Sequence, residues 1–286
     1  MYAIKEEQQS NVIDIGNRTR QRLSQKKMQK LKTVVEEAIP SIKREALSAE
    51  DVTKLLMYFV NKSRYDIVTA LVFGFNTGYR AGDLLALTYD DVMQDGKVIS
   101  TLRIVEQKTG KTRTVYLNEA VQKALYFLYK YTGADIEDYI FTPLKGAKMY
   151  ITYLPDEDGN ISPTPTHDKY DMFGNKNRVC PMKVGTLNDS IVDAVKKLGL
   201  IGTYGSHSMR VTFANEFGKN WEDDINVSVV QKALAHTNKS TTFNHYIDVN
   251  EAQMKEKWLA LNIGLDVVDF IIENSYIEMG DFTVTR

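Results

Sequence analysis

One stretch of alternating and β-branched residues, at positions 97–117, lies between segments whose apolar residues recur at helical spacing. Thr109, Gly110 and Lys111 form a turn signal within that stretch, which predicts two antiparallel strands joined as a hairpin. The helical periodicity before and after it predicts packed helices. The sequence therefore predicts a mainly α fold with a small antiparallel β-sheet or hairpin.

Length and apolar content predict a globular protein. A chain of 286 residues with 43% apolar side chains can bury a core, as one large domain or two small ones. The first residues lack the layout of a signal peptide, and no stretch approaches the ~20 apolar residues that span a bilayer. We therefore expect a cytoplasmic protein that does not engage a membrane.

Cysteine and histidine are too sparse for a disulfide or metal framework. Cys180 is the only cysteine, so an internal disulfide and a thiolate zinc cluster are excluded. The four histidines show no spacing typical of metal ligands. We expect no metal site and no cofactor.

The basic residues are concentrated at the front of the chain. The net charge of −1 counts against a protein that simply coats DNA, but residues 1–47 hold ten Lys and Arg against six Asp and Glu. Seven basic residues follow one another there without an acidic residue between them: Arg18, Arg20, Arg22, Lys26, Lys27, Lys30 and Lys32. They could lie along a phosphate backbone, and a solvated basic helix or a frayed terminus fits them equally well.

The chain divides into a front segment and a compact domain. Residues 1–47 are polar and irregular apart from one helical run closed by Pro40, and we expect a basic arm or linker. Ser48, with Asp51 three residues later, is typical of a helix N-cap, and apolar residues at helical spacing follow. A compact domain is therefore predicted over residues 48–286.

Two segments of that domain have a distinct composition. Residues 143–182 collect most of the prolines and predict a loop-rich insertion, in which residues 149–160 fit a projecting hairpin or a disordered loop equally well. Residues 250–286 form a tail with apolar positions at helical spacing. Such a tail needs a docking surface, either on this chain or on a neighbour.

Six residues of types that phosphoryl chemistry uses recur along the chain in a spaced order. They are Arg80, Lys108, His207, Arg210, His236 and Tyr246. Guanidinium groups match phosphate oxygens two at a time, and a tyrosine oxygen can attack phosphorus, so no metal ion would be required. Taken singly, each has an ordinary explanation, since a His-x-x-Arg pair is more often a cap or an ion pair and Tyr246 is one of sixteen tyrosines.

The segments around these residues strengthen the pattern. They read TGYRAGDLLALTYDDV, VEQKTGKTRTVYL, GSHSMRVTFAN and LAHTNKSTTFNHYI. In this order the segments resemble the arginine box, the hairpin lysine, the His-x-x-Arg box and the His-to-Tyr segment of the tyrosine recombinases, the phage integrase family, over roughly residues 45–250. The resemblance implies the catalytic-domain fold of these DNA breaking-rejoining enzymes.

The resemblance implies a role for each residue at the phosphate. Tyr246 would attack the scissile phosphate and become joined to the 3′ end of the cut strand. Arg80 and Arg210 would hold the two non-bridging oxygens. Lys108 would protonate the leaving 5′ oxygen, although Lys111 flanks the same turn and could be mistaken for it.

The two histidines and one acidic residue complete the implied site. His207 would serve as acid and base for the tyrosine proton, and His236 would donate to a non-bridging oxygen. Asp83 occupies the position where the family has a supporting acidic residue. His245 adjoins Tyr246, but residues one apart on a helix do not share a face, so we leave it out of the site.

The resemblance implies a site-specific DNA recombinase or integrase that acts through a covalent 3′-phosphotyrosine without metal or ATP. Its implied partners are double-stranded DNA recombination sites and three further copies in a homo-tetramer on DNA, with the tail docked on a neighbouring subunit. Two alternatives remain open. One is a DNA-binding accessory protein without catalytic activity, and the other is a strand-relaxing enzyme like the type IB topoisomerases.

One departure from the family concerns the front of the chain. Most members carry a separate helical core-binding domain there, and 47 residues are too few to fold as such a unit. We therefore expect either a catalytic fragment or a member that relies on the basic residues between 18 and 32.

Overall fold

The computed structural model describes residues 44–107, 110–145, 149–155, 161–219, 221, 229–230, 232–234 and 251–285. They belong to one compact unit, Arg44–Arg286. Some predicted site residues lie outside the described residues: Lys108, His236, Tyr246 and the seven basic residues between positions 18 and 32. Among the helices that are described, none is long and apolar enough to cross a bilayer.

Helices make up most of the described chain. In chain order they are α1 (Ala49–Val60), α2 (Tyr65–Thr77), α3 (Ala81–Leu85), α4 (Tyr89–Val92), α5 (Glu119–Thr132), α6 (Val184–Leu198), α7 (Ser208–Lys219), α8 (Glu251–Leu259) and α9 (Leu265–Glu273). The strands are β1 (Met93–Gln94), β2 (Lys97–Val98), β3 (Thr101–Val105), β4 (Thr112–Tyr116), β5 (Tyr150–Pro155), β6 (Ile161–Thr166) and β7 (Arg178–Val179). They form small antiparallel sheets, which confirms the predicted fold class.

The first helix begins where the sequence predicts. The Ser48 side-chain oxygen accepts a hydrogen bond from the backbone N–H of Asp51 and caps α1, whose buried face carries apolar side chains at helical spacing. Just ahead of it, the Leu47 N–H donates to Oγ1 of Thr212 at 2.9 Å, and Arg44 donates to the Tyr204 carbonyl at 2.6 Å. These contacts attach the start of α1 to the segment that carries α7. The division of the chain at residue 47 stays a prediction.

Helix α2 is the centre of the core. Every residue from Asp66 to Thr77 is buried, because α1, α5 and α7 all pack against this helix. Gly78 ends it in the left-handed conformation with φ 61°. A Cβ atom at this glycine would lie 2.5 Å from Cδ1 of Phe213, so both the backbone and the packing require glycine. The helix therefore ends sharply, two residues before Arg80.

The predicted hairpin is confirmed. Strands β3 and β4 pair antiparallel from Thr101 opposite Tyr116 to Val105 opposite Thr112. The Glu106 N–H donates to the Lys111 carbonyl at 2.9 Å beyond the last pair, and the Gly110 N–H donates to the Glu106 carbonyl at 2.8 Å. The backbone of Glu106 is thereby fixed at the base of the turn.

The insertion forms a three-stranded antiparallel sheet in the order β6-β5-β7. Of the two alternatives for residues 149–160, the structure has the hairpin strands, with Tyr150 opposite Thr166 and Pro155 opposite Ile161. Residues 156–160 lie outside the described part of the chain.

The tail packs on its own chain. The indole N–H of Trp258 in α8 donates to the Asn76 carbonyl at 2.8 Å, and Trp258 is completely buried. The Asn76 side chain also accepts from the Ile263 N–H at 2.8 Å and donates to the Ile263 carbonyl at 2.9 Å. Near the end of the chain, the Thr285 N–H donates to Oε1 of Gln122 at 2.8 Å. The described tail thus follows the in-chain alternative, and docking on a neighbouring subunit stays a prediction.

Candidate active site

Arg80 lies between α2 and α3, and its guanidinium faces a buried carboxylate. The residue directly precedes α3 and has an extended backbone. Its Nη1 forms an ion pair with Oε2 of Glu106. The Glu106 side chain is 0% exposed, whereas 25% of the Arg80 side chain is exposed. The Glu106 carboxylate therefore contacts the buried side of Arg80, while solvent reaches the other side of the guanidinium.

Arg210 lies on α7, and two backbone oxygens fix its guanidinium. Nη1 donates to the Gly78 carbonyl at 2.6 Å, and Nη2 donates to the Leu234 carbonyl at 2.7 Å. Nη1 also lies 4.0 Å from Oε1 of Glu106. Burial lowers the pKa of Arg210 to about 10, with Arg80 acting in the same direction and Glu106 against it. The structure thus brings Arg80 and Arg210 together on the two oxygens of one carboxylate.

Arg113 is a third guanidinium in this cluster and is not among the residues predicted from the sequence. It lies on β4 and is buried, with Nε donating to the Ala233 carbonyl at 2.6 Å and Nη1 to the Gly78 carbonyl at 3.2 Å. Its Nη2 donates to the Thr77 carbonyl. The guanidinium also lies over the Tyr79 ring, 5.5 Å from its centroid. Arg113 therefore joins the end of α2 to the residue at position 233.

Electrostatics in the cluster follow from burial and crowding. Burial lowers the pKa of Arg113 to about 9, and Arg210 adds to this effect, while Tyr79 and Glu106 oppose it. The phenol of Tyr79 is buried beside the cluster, and that burial raises its pKa above the ordinary value. Glu106 therefore offsets the charge of all three arginines, and Asp83 acts in the same direction at Arg210.

Asp83 connects α3 to the hairpin. Its Oδ1 accepts a hydrogen bond from the backbone N–H of Gln107 at 3.0 Å, and the residue is buried. Gln107 follows Glu106 and precedes Lys108 in the sequence. The contact places Asp83 beside the strand end that leads to Lys108, and its supporting role in the reaction stays a prediction.

His207 stands at the start of α7 and is exposed. Its carbonyl accepts hydrogen bonds from the Arg210 N–H at 3.1 Å and the Val211 N–H at 3.2 Å. The same first turn of α7 therefore carries both members of the His-x-x-Arg pair. The catalytic role of His207 stays a prediction.

The described part of the site can bind an anion. Three guanidiniums and two carboxylates, those of Glu106 and Asp83, gather where α2, α3, α7 and the hairpin meet. Arg113 and Arg210 are buried, so Arg80 presents the most exposed guanidinium of this group to solvent. Within the described ranges, His, Cys, Asp and Glu side chains do not gather in a group of three or more that could hold a metal ion.

The sequence contains a signal for two residues of the cluster that were not predicted, Glu106 and Arg113. Leu102 faces the core on β3, and Glu106 continues that alternation beyond the end of the strand. Arg113 alternates in the same way with the buried Val115 on β4. A period of two residues thus places both charged side chains on the inner face of the hairpin.

Two solved structures resemble this fold at low identity. A lambda integrase (75–356) dimer bound to a COC′ core site is 18% identical, with a TM-score of 0.46, over 74% of this chain and 64% of that one. XerA recombinase is 23% identical, with a TM-score of 0.44, over 78% of this chain and 66% of that one. With identities and TM-scores this low, the two structures add no support to a family assignment.

Sequence comparison gives a broader match. The family model described as "Phage integrase family" matches residues 45–253. Transposase A from transposon Tn554 of Staphylococcus aureus is 25% identical over 196 residues, which cover 66% of this chain and 45% of the relative. Tyrosine recombinase XerC of Caldanaerobacter subterraneus is 28% identical over 194 residues, covering 67% of this chain and 43% of the relative. The chain spans less than half the length of these curated relatives.

Proposed function

Because the chain belongs to the phage integrase family, as the match over residues 45–253 shows, we propose that it is a site-specific DNA recombinase. It cuts and rejoins DNA strands through a covalent bond between Tyr246 and a 3′ phosphate. The observation that carries the proposal is the placement of Arg80 and Arg210, distant in sequence, on the two oxygens of the Glu106 carboxylate.

The arginine pair supports a role in phosphate binding. Guanidinium forks hold phosphate oxygens two at a time, and negative charge builds on those oxygens in the transition state. Arg80 has an exposed side that a phosphodiester can approach from solvent. Arg210 is held rigidly by the Gly78 and Leu234 carbonyls, which fixes its charge without further reorganisation.

Proton transfers complete the proposed reaction. The Tyr246 oxygen forms a bond to phosphorus as its proton passes to His207, and the bond from phosphorus to the 5′ oxygen breaks as Lys108 supplies a proton. His236 donates to a non-bridging oxygen. Attack by a 5′ hydroxyl on the phosphotyrosine reverses these steps, and since the phosphodiester energy is kept, neither ATP nor a metal ion takes part.

The proposed partner is a duplex DNA recombination site, on which four copies of the chain assemble. Asp83 supports the hairpin beside Lys108, and the seven basic residues between positions 18 and 32 contact the DNA backbone. In the tetramer the tail docks on a neighbouring subunit. A neighbour of identical sequence offers the same surface around Asn76 that Trp258 covers in its own chain. The tail of one subunit can therefore make on its neighbour the contacts that it makes in its own chain.

A nicked duplex tests the proposal. The duplex carries DNA from the junctions of the element that encodes the protein, with a nick that lets the short cut fragment diffuse away and traps the covalent adduct. Wild-type protein is expected to give a protein–DNA adduct that survives denaturing electrophoresis, and Tyr246→Phe is expected to bind without forming it. An adduct from the Phe variant would remove Tyr246 as the nucleophile.

The same assay separates the alternatives. Binding without any adduct from wild-type protein is the result expected of an accessory DNA-binding protein. Relaxation of supercoiled DNA without joining of two sites is the result expected of a strand-relaxing enzyme. A joined product that contains strands from both sites supports recombination.

A further inference from the structure

We propose that Glu106 is a positioning residue for this reaction: its buried carboxylate holds the guanidiniums of Arg80 and Arg210 in fixed relation to one phosphate. This inference rests on the proposed function. Each oxygen of the carboxylate faces a different arginine, Oε2 toward Nη1 of Arg80 and Oε1 toward Nη1 of Arg210 at 4.0 Å. One side chain thereby sets the distance between the two cations.

Burial places Glu106 beneath the arginines and out of the path of the substrate. The Glu106 side chain is 0% exposed, and Nη1 of Arg80, the atom that faces it, is shielded from solvent as well. The exposed part of Arg80 lies away from this contact. A phosphate that arrives from solvent can therefore meet Arg80 on its outer side while Glu106 remains in place.

The backbone of Glu106 is anchored independently of its side chain. Its N–H donates to the Lys111 carbonyl at 2.9 Å, and its carbonyl accepts from the Gly110 N–H at 2.8 Å. The next residue, Gln107, donates its N–H to Asp83 at 3.0 Å. Since both the hairpin and α3 fix this segment, the carboxylate is a rigid support that can orient a longer and more mobile arginine side chain.

Charge balance explains why the support must be an anion. Arg80, Arg113 and Arg210 crowd together, and burial first, then neighbouring arginines, disfavour the charged forms of Arg113 and Arg210. Glu106 opposes this effect at both residues. Without its charge, repulsion would drive the least buried arginine, Arg80, out toward solvent. Binding of DNA would largely survive, because the cations remain, but their alignment on the transition state would be lost.

The test compares two substitutions in the full chain. Glu106→Gln keeps the size and removes the charge, whereas Glu106→Asp keeps the charge on a shorter side chain. Glu50→Gln is the matched control, because Glu50 is an exposed carboxylate that pairs with its helix neighbour Lys54. Each protein is assayed on the nicked junction duplex for its single-turnover cleavage rate constant, its dissociation constant for the duplex and its melting temperature.

We expect Glu106→Gln to slow cleavage by about 100-fold, similar to the loss of one transition-state donor, with the dissociation constant changed less than about threefold. Glu106→Asp should restore part of the rate, and Glu50→Gln should cleave as wild type does. Wild-type cleavage by the Gln variant, or equal losses of rate and binding, would overturn the proposal. If the Gln variant does not fold, a wild-type rate in the Asp variant overturns it instead.

A second substrate identifies the group on which Glu106 acts. A sulfur atom at the 5′ bridging position leaves as a thiolate, whose conjugate acid has a pKa of roughly 8.5, so departure needs little help from an acid. This duplex should restore cleavage by Lys108→Ala but leave Glu106→Gln slow, because the arginines still lack alignment. Full restoration of Glu106→Gln would assign it to placement of the lysine and overturn the proposal. If wild-type protein forms no adduct on either duplex, the recombinase function itself fails.

Discussion

Arg113 and Arg210 donate hydrogen bonds to the same backbone oxygen, that of Gly78, at 3.2 and 2.6 Å. Each guanidinium also donates to a second segment, Arg113 to the Ala233 carbonyl and Arg210 to the Leu234 carbonyl. The end of α2 is thereby tied to residues 233–234 by two parallel bridges. Arg210 is a predicted catalytic residue, whereas the hydrogen bonds of Arg113 join segments of the fold.

Replacing Arg113 should destabilise the fold. Arg113→Ala leaves the carbonyls of Thr77, Gly78 and Ala233 without this donor in a buried setting. Hydrogen bonds to a charged donor and the penalty for unpaired buried groups together predict a loss of about 3 kcal/mol in the free energy of unfolding. Urea denaturation followed by circular dichroism measures it.

Arg103 provides the matched control for that prediction. It lies on the same hairpin, but its side chain is on the exposed face of β3. Arg103→Ala should change the free energy of unfolding by less than about 0.5 kcal/mol. Equal stability losses at the two positions would show that the buried hydrogen bonds of Arg113 add no more to the free energy of unfolding than an exposed arginine does.

A methyl group at Gly78 should disturb the same junction. Gly78 and Gly133 both end helices in the left-handed conformation, with φ 61° and 57°, but only at Gly78 does an added Cβ meet Phe213, at 2.5 Å. Gly133→Ala should lower the free energy of unfolding by about 1 kcal/mol, which is the backbone cost alone. Gly78→Ala should add an overpacking cost of about 2 kcal/mol.

The comparison of the two glycine variants isolates the steric effect, because the backbone strain is common to both. Urea denaturation of each gives the difference directly. If the two variants lose the same stability, the close approach of α7 to Gly78 does not constrain the fold.

Local signals in the sequence predicted the parts of the fold that depend on neighbouring residues. Ser48 caps the helix that follows it, as predicted, because a cap is decided within one turn of chain. The β3–β4 hairpin follows from alternation around a glycine turn. The β1–β2 hairpin was missed, although Asp95 and Gly96 form a typical two-residue turn between its strands.

The candidate site was less predictable because its contacts join distant segments. The His-x-x-Arg spacing identified Arg210, but its bonds to Gly78 and Leu234 depend on how α7 packs against α2. Glu106 and Arg113 were passed over because charged residues near a hairpin turn are ordinarily exposed. Only the packing of the hairpin shows that both are buried.

The attachment of the tail should depend on one indole. Trp258 is completely buried and donates to the Asn76 carbonyl, whereas the buried indole N–H of Trp221 has no acceptor among the described residues. Trp258→Phe should therefore lower the free energy of unfolding by about 2 kcal/mol, from the lost hydrogen bond and the space left behind. Trp221→Phe should lower the free energy of unfolding clearly less. Circular dichroism melts in which Trp221→Phe is the less stable variant would contradict this account.

Replacement of the two predicted phosphate-binding arginines should have the same effect on cleavage but different effects on stability. Arg80→Ala and Arg210→Ala should each slow cleavage of the nicked duplex by on the order of 100-fold to 1000-fold or more, since each removes a charge from the transition state. The exposed side of Arg80 makes its removal tolerable to the fold. Loss of Arg210 leaves the Gly78 and Leu234 carbonyls without their donor and should lower the melting temperature by roughly 5–10 °C.

Both quantities can be measured on the same preparations, with adduct formation for the rate and a circular dichroism melt for stability. Arg103→Ala, on the exposed face of the hairpin, should match wild type in both. Near-normal cleavage by either active-site variant would remove that arginine from the proposed site. A melting temperature of Arg80→Ala that falls as far as that of Arg210→Ala would instead mean that the pair formed by Arg80 and Glu106 stabilises the fold as much as the backbone bridges do.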